Sequence, residues 1–363
     1  MPTHYNRTDE EPPAPADLHD LVVLLMYEWG TTDPRFRHSK LIEVSSTSFQ
    51  TIKNPDNIDD WRDTDPSRRI GLLFHKPKAP KEECAEDRDL PSNMLPDIPR
   101  CMLKPSVLAI KDSERQLETY FWQARAHDGC MRSVVLMQHF VHLLTLQHDL
   151  QVRIRTLPST RNKEPRKPVE YVTSINCRMV HEFSLYNSEL TTISLFLSQG
   201  CLITGDPGRT PHVVLGFRKP NGPTLSILDM SSLQYGEVGR GHKGHNFFIL
   251  ESIEDYAQEY LPKFAEKNTF ATARTTYGVH NVPRDVDEYL KDVAARAKKR
   301  WDSRRESPFC AYCGGPPKPG AKMMRCSACK TDHYCSPSHQ KAGWYYHKHF
   351  CKREEIASSR TVK

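Results

Sequence analysis

The stretch CAYCGGPPKPGAKMMRCSACKTDHYCSPSHQKAGWYYHKHFC, residues 310–351, decides how this chain is read. Its candidate ligands fall into four pairs: Cys310 and Cys313, Cys326 and Cys329, Cys335 and His339, His347 and Cys351. A gap of two residues lets a tight turn aim both sulfurs at one metal, and a gap of three places two ligands at i and i+4, on one face of a helix. One such pair is weak evidence, whereas four in succession are strong. Eight ligands exceed what one tetrahedral zinc can take, and two closed four-ligand sites absorb them all. A segment this short cannot bury enough apolar surface to fold unaided, so metal supplies the missing stability.

Cysteine usage elsewhere agrees. Six of the 11 cysteines lie in this stretch, while Cys84, Cys101, Cys130, Cys177 and Cys201 are scattered singly and read as ordinary thiols. Met1–Glu10 shows no secretory pattern, and the longest apolar run, Leu21–Tyr27, is far too short to span a bilayer. The expectation is an intracellular protein, of cytoplasm or nucleus, with metal-bound rather than disulfide-bonded cysteines. Charge is uneven: residues 301–363 carry 12 Lys and Arg against 5 Asp and Glu, or +7, leaving −1 for the first 300. The basic residues Lys341, Lys348, Lys352 and Arg353 are too few and scattered to form a groove-reading helix, so nucleic acid is the poorer partner.

The segment from about Pro308 to Arg353 resembles the MYND-type zinc finger in its closing pattern: Tyr334, Cys335, Gln340, Trp344, His347, Lys348 and Cys351. One departure is His339, where the family usually has cysteine; neutral imidazole is a good zinc ligand, so a Cys3His site should survive. The family's sites interleave. The resemblance therefore implies that Cys310, Cys313, Cys335 and His339 hold one zinc while Cys326, Cys329, His347 and Cys351 hold the other. His333 and His349 lie close enough to substitute, but His349 and Cys351 at i and i+2 diverge on a helix, and both histidines are expected to face solvent. The resemblance further implies a protein-interaction module that accepts proline-containing peptides, with Gln340 and Trp344 at the groove; Trp344 can equally be read as a core residue of the small domain. An indole plane stacks well on proline rings.

Upstream, the sequence reads as an α+β body over 17–283 whose topology it leaves open, followed by a connector helix and linker over 284–307. Residues 1–16 and 354–363 are expected to be disordered. The low hydrophobic content, 37%, and 27 prolines imply many loops. Leu18, Leu21, Val22, Leu25 and Trp29 predict a short amphipathic helix ended by Gly30, and residues 50–105 read as a surface excursion around a strand at Ile70–Phe74. A buried helix is predicted over Met131–Gln147, an exposed loop over Pro158–Pro168 and a second helix over Ser188–Ser198. A hairpin then pairs Val213–Phe217 with Thr224–Leu228, a helix runs from Ile253 to Leu261, where Pro262 would end it, and a helical stripe from Val286 to Ala294 closes the body.

Two enzyme readings compete with that of a binding protein. In SET-domain lysine methyltransferases that bear this finger it is inserted within the catalytic domain, whereas here it follows the body, and no SET motif is found there. A papain-like or transglutaminase-like arrangement needs a nucleophile at a helix N-terminus with His and Asp on successive strands. Cys130, His212 and Asp229 supply the residue types, but Cys130 lies far upstream of His212 in the chain. A hairpin whose ends are polar because they meet solvent is the simpler account, and it favours a binding protein.

Overall fold

The computed structural model describes residues 14–52, 59–77, 87–111, 113–146, 149–157, 168–197, 200–205, 208–275, 282–318 and 320–352. The expected N-terminal disorder up to residue 13, the loop over 158–167 and the tail over 354–363 lie outside the described residues. Ala14 and Pro15 are described, and Ala16–Asp17 pairs in parallel with the strand Gln151–Thr156, which the expected disorder up to residue 16 did not foresee.

The body is α+β, followed by the small C-terminal region with its two Cys/His clusters. Helix α1, Leu18–Thr32, starts where the Asp17 carboxylate accepts the His19 amide at 2.9 Å. It is not amphipathic, because no residue along it is exposed. A helix apolar nearly all round belongs in the middle of a core. Its one buried carboxylate, Glu28, is paired with Arg88, Arg296 and Arg300. Gly30 does not end the helix, which runs on to Thr32; it lets α1 pass against the indole of Trp122, where a Cβ would lie 2.6 Å from Cη2.

Helix α2, Glu114–Arg125, capped by Ser113, and helix α3, Gly129–Thr145, flank α1. Helix α4, Arg284–Asp302, presents Leu290, Val293, Ala294 and Ala297 to α3 and α1, so the expected connector is itself part of the core.

A five-stranded antiparallel sheet, in the order Ile249–Ser252, Thr224–Asp229, Arg209–Arg218, Arg178–Ser188, Ala265–Thr275, carries the site residues of the body. The predicted hairpin is its centre, with Leu228 opposite Leu215 and Asn221 left-handed in the turn. Alternation divides the sheet. Val213, Leu215 and Phe217 join the core of α1 and α3, while Val214, Ile227 and Ile249 face Tyr256, Tyr260, Leu261 and Phe264. The latter belong to Ile253–Asp255, a π turn over Tyr256–Tyr260 and a last turn Leu261–Phe264, so Pro262 sits inside the helical run rather than after it. Its missing N–H falls near the start of that last turn, where it costs little.

The helix expected over Ser188–Ser198 is a strand, Thr191–Phe196. It pairs in parallel with Arg69–His75 and antiparallel with Gly200–Thr204. Thr191 to Leu195 are all buried, so both faces are covered and the alternation that marks a strand is lost, while the β-branched Thr191, Thr192 and Ile193 suit the pleat. Nor is the region after residue 50 only surface: Trp61 is sealed against Phe49, Leu73, Ile193 and Leu195 in a small core of its own.

Candidate functional sites: two metal centres and a buried polar group

Two turns and one helix build the C-terminal sites. The Gly314 amide closes back on the Cys310 carbonyl at 2.8 Å, and the Gly315 amide points at Cys313 Sγ at 3.4 Å. In the second turn Lys330, left-handed, bonds to the Cys326 carbonyl at 3.1 Å, and Thr331 donates its hydroxyl to Cys329 Sγ at 3.0 Å. Helix α5, Pro337–His347, begins where Ser336 Oγ accepts the His339 amide at 3.1 Å, with Pro337 in its first turn. Cys335 and Cys351 lie just outside α5. The two later pairs are thus not each on one helix face, as their spacing suggested. Each straddles one end of α5, and the helix sets the separation of the sites.

The ligand atoms gather into two groups of four, Cys310, Cys313, Cys335, His339 and Cys326, Cys329, His347, Cys351, with all atoms of a group within 4.8 Å of one another. The Cys313–Cys335 and Cys326–Cys351 sulfur pairs are each 3.8 Å apart. That is the edge of a tetrahedron whose metal–sulfur bonds are about 2.3 Å, as for zinc. Each imidazole turns one nitrogen inward and offers the other to a carboxylate. His339 Nδ1 lies 3.0 Å from Cys335 Sγ while its Nε2 is 3.3 Å from Glu118 Oε1; His347 Nε2 lies 3.3 Å from Cys326 Sγ while its Nδ1 is 2.8 Å from Asp332 Oδ2. Carboxylates behind ligating histidines fix the ring and tautomer. The residues therefore fit two zinc ions, one per group, which would be held through His339 Nδ1 and His347 Nε2. His333 and His349 join neither group; His333 accepts from Arg325, and His349 is exposed.

Glu118 belongs to the body. It also accepts the Tyr312 hydroxyl at 3.1 Å, and the Tyr312 ring packs 4.8 Å from Phe247. Tyr346 stacks on His19 at 4.2 Å, Tyr345 stacks on His245 at 3.6 Å, and Arg300 donates to the Gly314 carbonyl at 2.6 Å. Gly314, at φ +75°, lies so close to the Val23 carbonyl that no side chain fits. Cys310, Tyr312 and Tyr334 belong to the same buried cluster as α1 and α3. On the outer face of α5, Trp344 is 45% exposed and Gln340, one turn earlier, half-buried.

In the body, His212 and Asp229 meet, and they meet out of water: both are buried, which overturns the solvent-facing hairpin ends. His212 Nε2 lies 2.8 Å from Asp229 Oδ2 and 3.0 Å from the Tyr256 hydroxyl, and that hydroxyl donates to the same carboxylate oxygen at 3.0 Å. The other oxygen, Oδ1, accepts the Ser231 amide and hydroxyl, each at 3.0 Å. Cys130, half-buried in the first turn of α3, has its sulfur 4.0 Å from the carbonyl of Pro211, the residue before His212. Burial pulls the imidazole down, but the charge and hydrogen bond of Asp229, reinforced by Cys130, outweigh it and push the pKa up to about 10.

Sequence reasoning reached the eight ligands but not Glu118, Asp332 or Tyr256. Glu118 contacts a residue 194 positions away, and no local pattern announces such a partner. Tyr256 reaches Asp229 through the π turn, a departure from regular spacing.

Residues 310–351 match the MYND finger family. A stretch covering 28% of this chain is 41% identical over 104 residues to the MYND-type zinc finger protein samB of Aspergillus clavatus, and 28% identical to that of Aspergillus terreus. Over 96 residues, 26% of the chain, it is 34% identical to SET domain and MYND-type zinc finger protein 6 of Schizosaccharomyces pombe. In each case the match spans 17% of the relative's length. No solved structure matches the chain.

Proposed function

We propose that this is a zinc-binding docking protein whose finger, residues 308–353, captures proline-containing segments of partner proteins on the face formed by Gln340 and Trp344. The body over 17–283, with the helix and linker over 284–307, is its platform. The observation that carries this reading is the 45% exposure of Trp344, a large aromatic left in solvent on a helix whose neighbouring aromatics are engaged by the body, Tyr346 buried and Tyr345, 40% exposed, stacked on His245. Closed four-ligand sites support it, since they leave no coordination position for chemistry and serve to hold a surface in shape. A reducing compartment, cytoplasm or nucleus, keeps the six thiolates available to metal. Among the described residues no helix is long and apolar enough to cross a membrane.

The test is fluorescence polarisation of the full chain, zinc-loaded, against labelled proline-containing peptides. Trp344→Ala should weaken capture about thirtyfold, the loss of a buried aromatic anchor, while zinc content stays at two per chain. Equal affinity of zinc-loaded mutant and wild type would show that the face is wrongly assigned.

A further inference from the structure

Independently of the finger, the geometry points to a second site in the body: we propose that Cys130 is an acyl-accepting nucleophile, with His212 as its base and Asp229 and Tyr256 positioning the ring, acting on amide or ester carbonyls. The fold closes the long sequence gap that argued against this trio and leaves Cys130 Sγ 4.0 Å from the Pro211 carbonyl, the peptide carbonyl that precedes His212.

Three observations converge. An imidazole and a carboxylate are sealed from solvent, a costly arrangement unless every polar atom is matched. The matching is complete around Asp229, whose two oxygens take His212, Tyr256 and Ser231. With Nε2 turned to Asp229 and Tyr256, Nδ1 is the nitrogen left for the thiol; the Gln234 amide stands 3.4 Å from it. Second, Cys130 lies in the first turn of a 17-residue helix, whose N-terminal dipole stabilises a thiolate and a nearby oxyanion. Third, Asp128, two residues before it, is held left-handed at φ 52°, the kind of local strain that collects at nucleophile turns. The thiol alone of the three is half-buried, so substrate meets sulfur first. The raised pKa of His212 is what a thiolate–imidazolium pair requires.

The thiol proton passes to His212 Nδ1 as sulfur attacks the carbonyl carbon, forming the C–S bond. The tetrahedral oxyanion collapses, the C–N or C–O bond breaks, and imidazolium protonates the leaving amine or alcohol. Water, giving a proton to neutral His212, then attacks the thioester; the C–S bond breaks, the acid departs and the thiol is restored.

Two probes test this on the whole zinc-loaded protein, read by mass spectrometry of the tryptic peptide Ala126–Arg132. Iodoacetamide at pH 6 should alkylate Cys130 at least ~tenfold faster than the exposed Cys101 of the same chain, which has no imidazole partner among the described residues. His212→Gln should remove that advantage, and Asp229→Asn or Tyr256→Phe should shift the acid limb of the rate profile toward that of Cys101. Acetyl from 4-nitrophenyl acetate should appear on Cys130 and then be lost to water. A wild-type Cys130 no faster than Cys101 at pH 6 overturns the proposal whether or not the variants fold. A fast Cys130 that takes no acetyl overturns the acyl chemistry.

Discussion

Exchange of Glu118 for Gln keeps the shape of a buried side chain and removes its charge where finger and body touch. Its Oε1 faces His339 Nε2 at 3.3 Å, and its Oε2 takes the Tyr312 hydroxyl at 3.1 Å and stands 3.6 Å from Arg240 Nη2. All three neighbours present hydrogen, so an amide can serve one side only, and its own N–H group confronts a donor on the other. Losing the acceptor behind a ligating histidine costs about 10–100-fold in metal affinity, or roughly 1.4–2.7 kcal/mol. Arg240, whose side chain is fully buried, keeps Glu237 at 3.2 Å and Thr119 at 3.0 Å, which limits the further loss of fold stability to about 1–3 kcal/mol. Competition against a chromophoric chelator reads the first effect: one of two zinc ions should leave at ~10–100-fold lower chelator. Asp332→Asn should loosen the other ion instead. In a His339→Cys background, where no ring needs bracing, Glu118→Gln should leave zinc affinity unchanged. Wild-type release of both ions from the Glu118→Gln protein would refute the reasoning and reduce Glu118 to a bystander.

Gly30→Ala sets two effects of opposite sign against each other. Alanine favours a helix interior by about 1 kcal/mol, but the new Cβ would intrude on the Trp122 ring, 2.9 Å from Cε3, and overpacking costs about 1–3 kcal/mol. Urea denaturation should show a net loss; a gain would mean that α1 does not pack on Trp122. His127 makes stability depend on acid. Burial first, then the Arg35 charge, pulls its pKa down to about 3, and the neutral ring is held by Thr204 Oγ1 at 2.6 Å and Ser194 Oγ at 2.9 Å. Below pH 6.5 the unfolded chain takes a proton that the folded one refuses, so this contribution is complete above pH 6.5 and falls by up to about 1.4 kcal/mol per pH unit down to pH 3. Urea midpoints at pH 7, 6 and 5 should fall more steeply for wild type than for His127→Gln, and parallel slopes would remove His127 from the account.

The finger was legible in the sequence because metal ligands are chemically distinctive and their spacing is dictated by turns and a helix that lie within the segment. Even so, the helix proved to join the two sites rather than to carry one pair each, since Cys335 and Cys351 stand beyond its ends. In the body, periodicity failed where burial is total. Leu21 to Tyr27 gives a run with no polar side, and Thr191 to Leu195 gives a strand without alternation. Gly30 reads as a stop from local rules, and only the approach of Trp122, from another helix, explains it otherwise. The hairpin of His212 and Asp229 was legible, and Cys130 could be named as a candidate beside it from residue type alone; that Tyr256 would close on the pair was not legible, because that depends on a π turn.

The carboxylate that braces His339 comes from the body, and Tyr312 and Cys310 are packed into the body's own interior. Turnover and metal supply are thereby joined. Stripping the ion frees His339 and the Cys310 turn together, opens apolar surface around α1, and raises the unfolded fraction on which proteases act. A change of about 1–2 kcal/mol is enough to alter abundance several-fold. A cell short of zinc would therefore hold less of the whole chain, so that the concentration of this protein, and not only the occupancy of its finger, records how much metal is available.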